Sequence, residues 1–278
     1  MSADQIPVEG NGFLTEQAAN RLTSLPDVNQ QLMLVAVAVA RYANRLIHTL
    51  PATAPHLTAE EKQRVIALSL FVRLIECFES ILILAAHEVR EELRSLFRVF
   101  LDAYFVLANV CSNANFVGSY LRADEAERLK LLNAMSKHND DLFAAAIEYA
   151  TPDVRSALAA KVKEEGIQAF NSFSNAEKVG CAAIYDSMYR ITGPSVHTGP
   201  RILDDYMETD AEGTVTKINH RGNPAVIDRF VYDTIWFCLK SIRGMLECFG
   251  DLATGEVTEL DARLEEAMIG RHIASVAK

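Results

Sequence analysis

The sequence predicts an all-α protein, an irregular multi-helix bundle with a small β-hairpin or ordered loop inserted near residues 205–220. Long stretches place apolar residues at helical spacing, and helix-capping signals stand at the start of several of them. The segment from Thr214 to Ile218 instead alternates in the manner of a strand, directly after a turn-forming Asp-Ala-Glu-Gly run. Half of the 278 residues are hydrophobic, which is enough to build a sizeable core.

The predicted organisation has three parts: an N-terminal tail over residues 1–26, one helical domain over 27–255, and a C-terminal helix over 256–278 that packs on it or flanks it. The first helix is expected to begin after Pro26, with Asp27 as its cap, and to end near Leu50. Residues 51–57, which contain two prolines, read as a linker.

Two central helices are predicted after this linker. Thr58 and Glu61 have the spacing of a capping box, in which each side chain accepts from the backbone of the other residue. The helical pattern then extends to about Cys111, which is too long for one ordinary helix, so a break is expected near residues 85–88. Both pieces are apolar almost all round, which favours central positions in the bundle.

Further helices are predicted over residues 116–136, 139–149, 152–166, 174–190, 225–250 and 258–273. Pro152 suits the first position of its helix, and Gly166 suits the end. Ser174 and Glu177 have the spacing of a second capping box, which is expected to open a helix that ends near Arg190.

Charge and motifs exclude several functional classes. A net charge of −10 argues against general binding to a phosphate backbone, although a local basic pocket remains compatible with it. The most apolar run, Leu32 to Ala40, is about half as long as a membrane span, and the five cysteines form no CxxC pair. A cytoplasmic protein with reduced cysteines is therefore expected. No cofactor or metal is expected, because phosphate-loop and zinc-ligand spacings do not occur.

A line of charged residues follows the second central helix at four-residue intervals: Arg90, Arg94, Arg98 and Asp102. Arg98 and Asp102 are expected to pair, and Glu76 and Glu79 could meet the line if the two central helices pack antiparallel. Charges in a core are costly unless paired. The line therefore predicts either an ion-pair network that fixes helix register or a substrate pocket around Arg94, Arg98 and Glu76.

A second constellation joins Arg190 to His197, seven residues later. On a continuous helix they would share a face, about 10 Å apart along the axis, and could converge on one phosphate. Histidine can take a 2′-hydroxyl proton or protonate a leaving oxygen, and arginine can hold the phosphate, as metal-free RNA cleavage requires. Pro194 interrupts the helix, because its ring clashes with the carbonyl of Arg190. His197 is then expected in the first turn of a new helix opened by Pro194, and structural or surface roles for the pair stay open.

Two segments resemble the bacterial domain family numbered 5677 among the domains of unknown function. The first segment runs from Glu92 to Ala103, and the second runs from Tyr189 to His197 and continues at Leu203 to Tyr206. That family carries a "leu-arg-ser-leu-phe-glu" helix, then a later tyrosine, serine and "val-his" segment. The resemblance covers roughly residues 60–250 and implies that Arg94, Tyr189, Ser195 and His197 are site residues.

The chain departs from the family pattern at two places. Arg98 stands where the family has a glutamate, and Asp102 could supply the missing carboxylate one turn later. A Gly-Pro pair also precedes Ser195.

The helical pattern and the Arg…His segment are also similar to those of HEPN domains. These are helical bundles, often dimeric, and several are metal-independent ribonucleases of toxin–antitoxin and phage-defence systems. The likeness implies a homodimer that binds or cleaves RNA, with Arg190 and His197 catalytic at a composite site. The six-residue gap is at the upper limit of that motif, and Ile191 stands where a polar residue is common. The alternative is a non-enzymatic helical interaction module with structural buried ion pairs.

Overall fold

A computed structural model of the protein describes residues 16–23, 30–51, 58–137, 148–149, 151–197, 199–219, 227–250 and 254–276. In chain order the α-helices are α1 (Glu16–Thr23), α2 (Gln30–Thr49), α3 (Ala59–Ala86), α4 (Arg90–Ser112), α5 (Ala114–Met135), α6 (Pro152–Glu164), α7 (Ser172–Lys178), α8 (Ala182–Ile184), α9 (Gly193–His197), α10 (Ile227–Phe249) and α11 (Gly255–Val276). A π-helical turn (Tyr185–Tyr189) follows α8, and a 3₁₀-helix (Pro200–Asp205) follows α9. Strands β1 (Met207–Thr209) and β2 (Val215–Ile218) form one antiparallel hairpin, so the predicted all-α bundle with a small hairpin is confirmed.

The core lies between α3, α4 and α10, with α2 packed on α3 and α10 and α11 packed on α2 and α10. Six phenylalanines are fully buried there: Phe71, Phe78, Phe97, Phe100, Phe105 and Phe237. Each buried side chain of this size stabilises the fold by about 1.5–3 kcal/mol relative to its exposed state. The apolar composition of the two predicted central helices thus places them at the centre, as expected.

The Thr58 Oγ1 atom accepts from the Glu61 amide at 3.2 Å, and a Glu61 carboxylate oxygen accepts from the Thr58 amide at 2.7 Å, which confirms the capping box at the start of α3.

The turn between α3 and α4 determines where the charged line of α4 lies. Helix α3 ends at Ala86, and Glu88 adopts a φ of 56°, a conformation that residues other than glycine rarely take. Because the chain reverses here, the first residues of α4 lie at one end of the bundle.

The predicted helix over residues 174–190 is wrong. Asn171, not Ser174, is the cap of α7, since its Oδ1 atom accepts from the Ser174 amide at 2.9 Å. The helix ends at Lys178, and Gly180 has a φ of 70°, which glycine adopts at little cost. The chain continues through α8 and the π-helical turn, so the segment before Arg190 is irregular.

The helix α1 lies within the segment predicted as a tail, where the sequence did not predict a helix. Three other predictions fall outside the described residues: the Asp27 cap, most of the linker over 51–57, and most of the helix over 139–149.

Candidate functional site

Charged and polar residues meet at the first turn of α4 in a cluster, here called the Glu91 cluster. It consists of Arg90, Glu91 and Arg94 of α4, Ser195 of α9 and Asp205 of the 3₁₀-helix. The Glu91 carboxylate is only 3% exposed and lies 3.0 Å from Arg94 Nη1. Arg90 Nη1 and Arg94 Nη1 lie 2.7 Å and 3.4 Å from the two carboxylate oxygens of Asp205. Ser195 donates its hydroxyl to Glu91 at 2.6 Å. The cluster therefore joins the start of α4 to α9 and to the 3₁₀-helix.

Burial explains why this cluster must be internally paired. The side chains of Arg90 and Arg94 are 12% exposed, so each guanidinium has lost most of its hydration. Glu91 is also in the first turn of α4, where the positive end of the helix dipole favours a carboxylate. The sequence predicted Arg94 and Ser195 as site residues and placed Arg90 in the charged line, but it did not predict Glu91 and Asp205, which pair with the two arginines.

Arg98 and Asp102 form a second contact group, on the side of α4 that faces the π-helical turn. Arg98 does not form the expected ion pair with Asp102, because its guanidinium stacks over the Tyr189 ring, 4.1 Å from the centroid. The Tyr189 hydroxyl instead donates to Asp102 at 3.1 Å, and it lies 3.2 Å from Ser172 Oγ. Burial raises the pKa of the Asp102 carboxyl, although the hydrogen bonds and the Arg98 charge oppose this rise. Burial likewise raises the pKa of Tyr189.

The glutamates of α3 have other partners. Glu76 is half-exposed and lies 3.5 Å from Arg73 of its own helix, so it does not join the charged line of α4. Glu79 is buried and accepts from Asn44 of α2 at 2.8 Å. The expected pocket around Arg94, Arg98 and Glu76 is therefore not formed by direct contacts among these three.

Several side chains fix the backbone that leads from Tyr189 to α9. Arg94 Nη2 donates to the Ile191 carbonyl at 2.9 Å. The buried Thr192 donates to the Tyr189 carbonyl at 2.8 Å. At Gly193, a Cβ atom would lie only 3.0 Å from Arg98 Nη1, so the absence of a side chain allows this close approach. Two hydrogen bonds thus hold this short segment, and Gly193 lets it approach Arg98 closely.

The helix break predicted at Pro194 is present. Helix α9 begins at Gly193, places Pro194 at its second position and ends at His197. The turn just before it is π-helical, a conformation often found at functional sites.

Arg190 and His197 lie on either side of this break, and both are exposed. Arg190 Nε is 3.0 Å from Asp186, and its guanidinium lies 5.8 Å from the centroid of the Tyr185 ring. The Arg190–Asp186 pair is open to solvent, with side chains 66% and 56% exposed. Neither residue of the predicted catalytic pair therefore takes part in the buried network beside it.

An open groove of about 740 Å³ lies between α4 and the segment from α9 to Tyr206. Its polar lining includes Glu91 and Ser195 of the Glu91 cluster. Its apolar lining includes three large residues that are 40–51% exposed: Val99, Val196 and Leu203. Burial and the negative charges of the nearby glutamates and Asp205 raise the pKa of Tyr206, so its hydroxyl stays protonated at the end of the groove.

The described residues contain no group of three or more His, Cys, Asp or Glu side chains arranged to hold a metal ion. Among the described residues, α4 is long and apolar enough to cross a membrane, and half of its most apolar stretch is buried within the protein.

Comparison with known proteins gives one match. A search of curated proteins and of solved structures finds no match. A family model described as "Family of unknown function" matches residues 64–214, more than half of the chain. The matched region begins within α3 and ends between β1 and β2, and it contains the Glu91 cluster, the π-helical turn and α9. The chain therefore belongs to the family of unknown function DUF5677.

Proposed function

We propose that this protein is HEPN-like, and that it binds single-stranded RNA and cleaves it without a metal ion, with Arg190 and His197 as the catalytic pair. One observation carries the proposal. Side chains of α4 hold the backbone between these residues, while both functional side chains are exposed to solvent. A reactive pair requires such preorganised support together with access to substrate.

The chemistry follows from the two residue types. His197 takes the proton of a ribose 2′-hydroxyl, and the 2′-oxygen attacks the adjacent phosphorus. Arg190 holds the phosphate through its planar guanidinium and stabilises the charge that develops. The bond to the 5′-oxygen then breaks, and that oxygen receives a proton. The products are a 2′,3′-cyclic phosphate and a free 5′-hydroxyl.

Asp186 pairs with Arg190 and therefore competes with a bound phosphate for the guanidinium group. An exposed pair of this kind, four residues apart on a helix, contributes about 0.3–0.5 kcal/mol. A phosphate that approaches Arg190 can therefore displace Asp186 at small cost. The overall charge of −10 opposes RNA binding at long range, so affinity is expected to depend on local contacts.

The test is cleavage of end-labelled single-stranded RNA in EDTA. We expect Arg190→Ala and His197→Ala each to reduce the rate at least 100-fold, the usual loss for a group that stabilises transition-state charge and for a general acid–base group, respectively. Arg201→Ala and His48→Ala are matched controls, because both are exposed and lie outside the pair. If wild type cleaves no RNA, or if wild type and His197→Ala cleave equally, the proposal is wrong.

A homodimer is part of the proposal, because a second copy would supply a second Arg–His pair, and hence both a proton acceptor and a proton donor. Two of the exposed apolar residues of the groove, Val196 and Leu203, lie close to the pair in the chain. Together with Val99 they offer a surface that a second copy could cover. Sedimentation velocity of wild type and of the Val99→Glu, Leu203→Glu double variant tests this. A dimer that dissociates in the double variant is expected, and a monomeric wild type contradicts it.

The same groove favours a second candidate function, a non-enzymatic interaction module with structural buried ion pairs. In that case another protein fills the groove, and Arg190 and His197 have no chemical role. The two candidates differ in one result. The interaction module predicts that His197→Ala has no effect on function in the cell, whereas Val99→Glu with Leu203→Glu abolishes it.

A further inference from the structure

A second cavity, of about 490 Å³, lies away from the Glu91 cluster, between α5, α7 and the chain that leads into α7. Its volume is in the range of small-molecule sites. Lys130 and Lys178 contribute its cations, and no Asp or Glu is among the residues that the structure shows lining it. In a chain with a net charge of −10, a cavity lined by lysines without carboxylates indicates an anionic ligand.

The two lysines remain available to such a ligand. Lys178 is exposed, with its Nζ atom 5.3 Å from the centroid of the Phe116 ring. Lys130 is 62% exposed and lies 3.0 Å from Glu127 of the same helix. This exposed pair is weak, so a phosphate can compete for the ammonium group.

Aromatic rings form the other part of the lining. Tyr120 stacks on the buried Phe116, with ring centroids 6.2 Å apart and an interplanar angle of 18°. Phe170 also lines the cavity and is 40% exposed. Aromatic rings beside lysines are the combination on which nucleic-acid-binding proteins stack bases and hold phosphates.

We propose that this cavity, the Lys130/Lys178 pocket, binds a nucleotide, with its phosphate at the two lysines and its base against Tyr120 or Phe170. The nucleotide is either free or one unit of a single-stranded RNA. The pocket shares no residue with the Arg190–His197 pair, so the proposal does not depend on RNA cleavage.

Calorimetric titration of the full-length protein with AMP, UMP, adenosine and inorganic phosphate tests the pocket. We expect a nucleoside monophosphate to bind at least tenfold more tightly than adenosine or phosphate alone, because only it engages both parts of the lining. Lys130→Gln with Lys178→Gln should raise its Kd at least tenfold, and Phe170→Ala about fivefold. Lys163→Gln, an exposed lysine on α6 outside the pocket, is the matched control. Circular dichroism checks that each variant is folded.

A labelled ten-nucleotide RNA, titrated into proteins that carry His197→Ala so that the RNA stays uncleaved, distinguishes the two sources of the nucleotide. The pocket holds part of a strand if two results are obtained together. The RNA binds more tightly than either monophosphate, and the two lysine substitutions raise the Kd for RNA by the same factor as the Kd for the monophosphate. If a monophosphate binds as tightly as the RNA, the ligand is a free nucleotide. The proposal is overturned if neither monophosphate nor the RNA binds, or if the lysine variants bind as well as Lys163→Gln. His197→Ala should bind like wild type, so loss of cleavage and loss of pocket binding remain separate results.

Discussion

The Glu91 cluster and the Arg190–His197 pair are neighbours that use the same kinds of side chain in opposite ways. In the cluster the arginine side chains are 12% exposed, and every charged member has an ionic partner. In the pair, Arg190 is 66% exposed and has one solvent-exposed partner. The difference is instructive because a buried charge has to be satisfied within the fold, whereas an exposed charge can exchange its partner for a ligand.

This contrast assigns different roles to the two regions. Ser195 and Arg94 connect them, since one bonds from α9 to Glu91 and the other from α4 to the Ile191 carbonyl. The buried cluster thereby supports the backbone on which the exposed pair is carried.

The largest expected effect is that of Glu91→Ala. This change removes one of the two carboxylates that pair with the buried guanidinium groups and leaves Asp205 to pair with both. The free energy of unfolding should fall by ~3 kcal/mol, the low end for breaking a buried ion pair. Urea denaturation measures it. The neighbouring Glu92→Ala, at an exposed position, should change stability by less than ~0.5 kcal/mol. Equal losses in the two variants would contradict a structural role for the cluster.

A smaller loss is expected for Tyr189→Phe, which removes the hydroxyl that donates to Asp102. Leaving that partly buried carboxylate with one fewer donor should cost ~1–2 kcal/mol. Tyr185→Phe is the control, because Tyr185 stacks on Tyr189 at a centroid distance of 4.6 Å. A loss in Tyr185→Phe as large as that in Tyr189→Phe would show that the loss does not come from the hydrogen bond to Asp102.

Asp102→Asn should change how stability depends on pH. Burial raises the folded-state pKa of Asp102 above its ordinary 3.8. Between these two pKa values the folded state therefore binds a proton at this carboxyl more strongly than the unfolded state does. The wild-type protein should therefore lose stability as pH rises from 3.8 through the raised folded-state value, by about 1.4 kcal/mol for each unit of the difference.

The asparagine variant cannot titrate at this position, so its unfolding free energy relative to wild type should increase over that pH range. Urea denaturation at a series of pH values measures the difference. Asp124→Asn, at an exposed position on α5, should keep the wild-type profile. Parallel profiles for wild type and Asp102→Asn would refute the assignment.

The smallest effects on stability are expected for Arg190→Ala and His197→Ala, within ~0.5 kcal/mol of wild type, because both residues are exposed. The same urea titrations apply. A loss above ~2 kcal/mol in either variant would place that residue in the structural network and remove the contrast between the two regions.

Local signals allowed much of the fold to be predicted from the sequence. The Thr58 capping box, the break before Arg90 and the hairpin near residue 210 each depend on residues close together in the chain, and each is present. The prediction of one helix over residues 174–190 was wrong for two reasons. Asn171 and Ser174 are both suitable caps, and Asn171 is the one used. Gly180 then ends the helix with a positive φ, which the hydrophobic pattern did not reveal.

The site was predicted only in part, because its contacts are distant in sequence. Ser195 meets Glu91 across 104 residues, and Asp205 meets Arg90 across 115. The four-residue spacing revealed the arginines, whereas Glu91 resembled an ordinary acidic residue in the first turn of a helix. Arg98 was expected to pair within its own helix, but tertiary packing placed the Tyr189 ring against it.

The central claim is that the Glu91 cluster holds the backbone between Arg190 and His197. Hydrogen–deuterium exchange of the peptide covering residues 189–197 tests it most directly, in wild type, Ser195→Ala and His197→Ala. Ser195→Ala removes the 2.6 Å hydrogen bond to Glu91 and should speed exchange in this peptide at least fivefold, the factor that corresponds to about 1 kcal/mol. His197→Ala should leave it unchanged. Equal exchange in wild type and Ser195→Ala would contradict the claim.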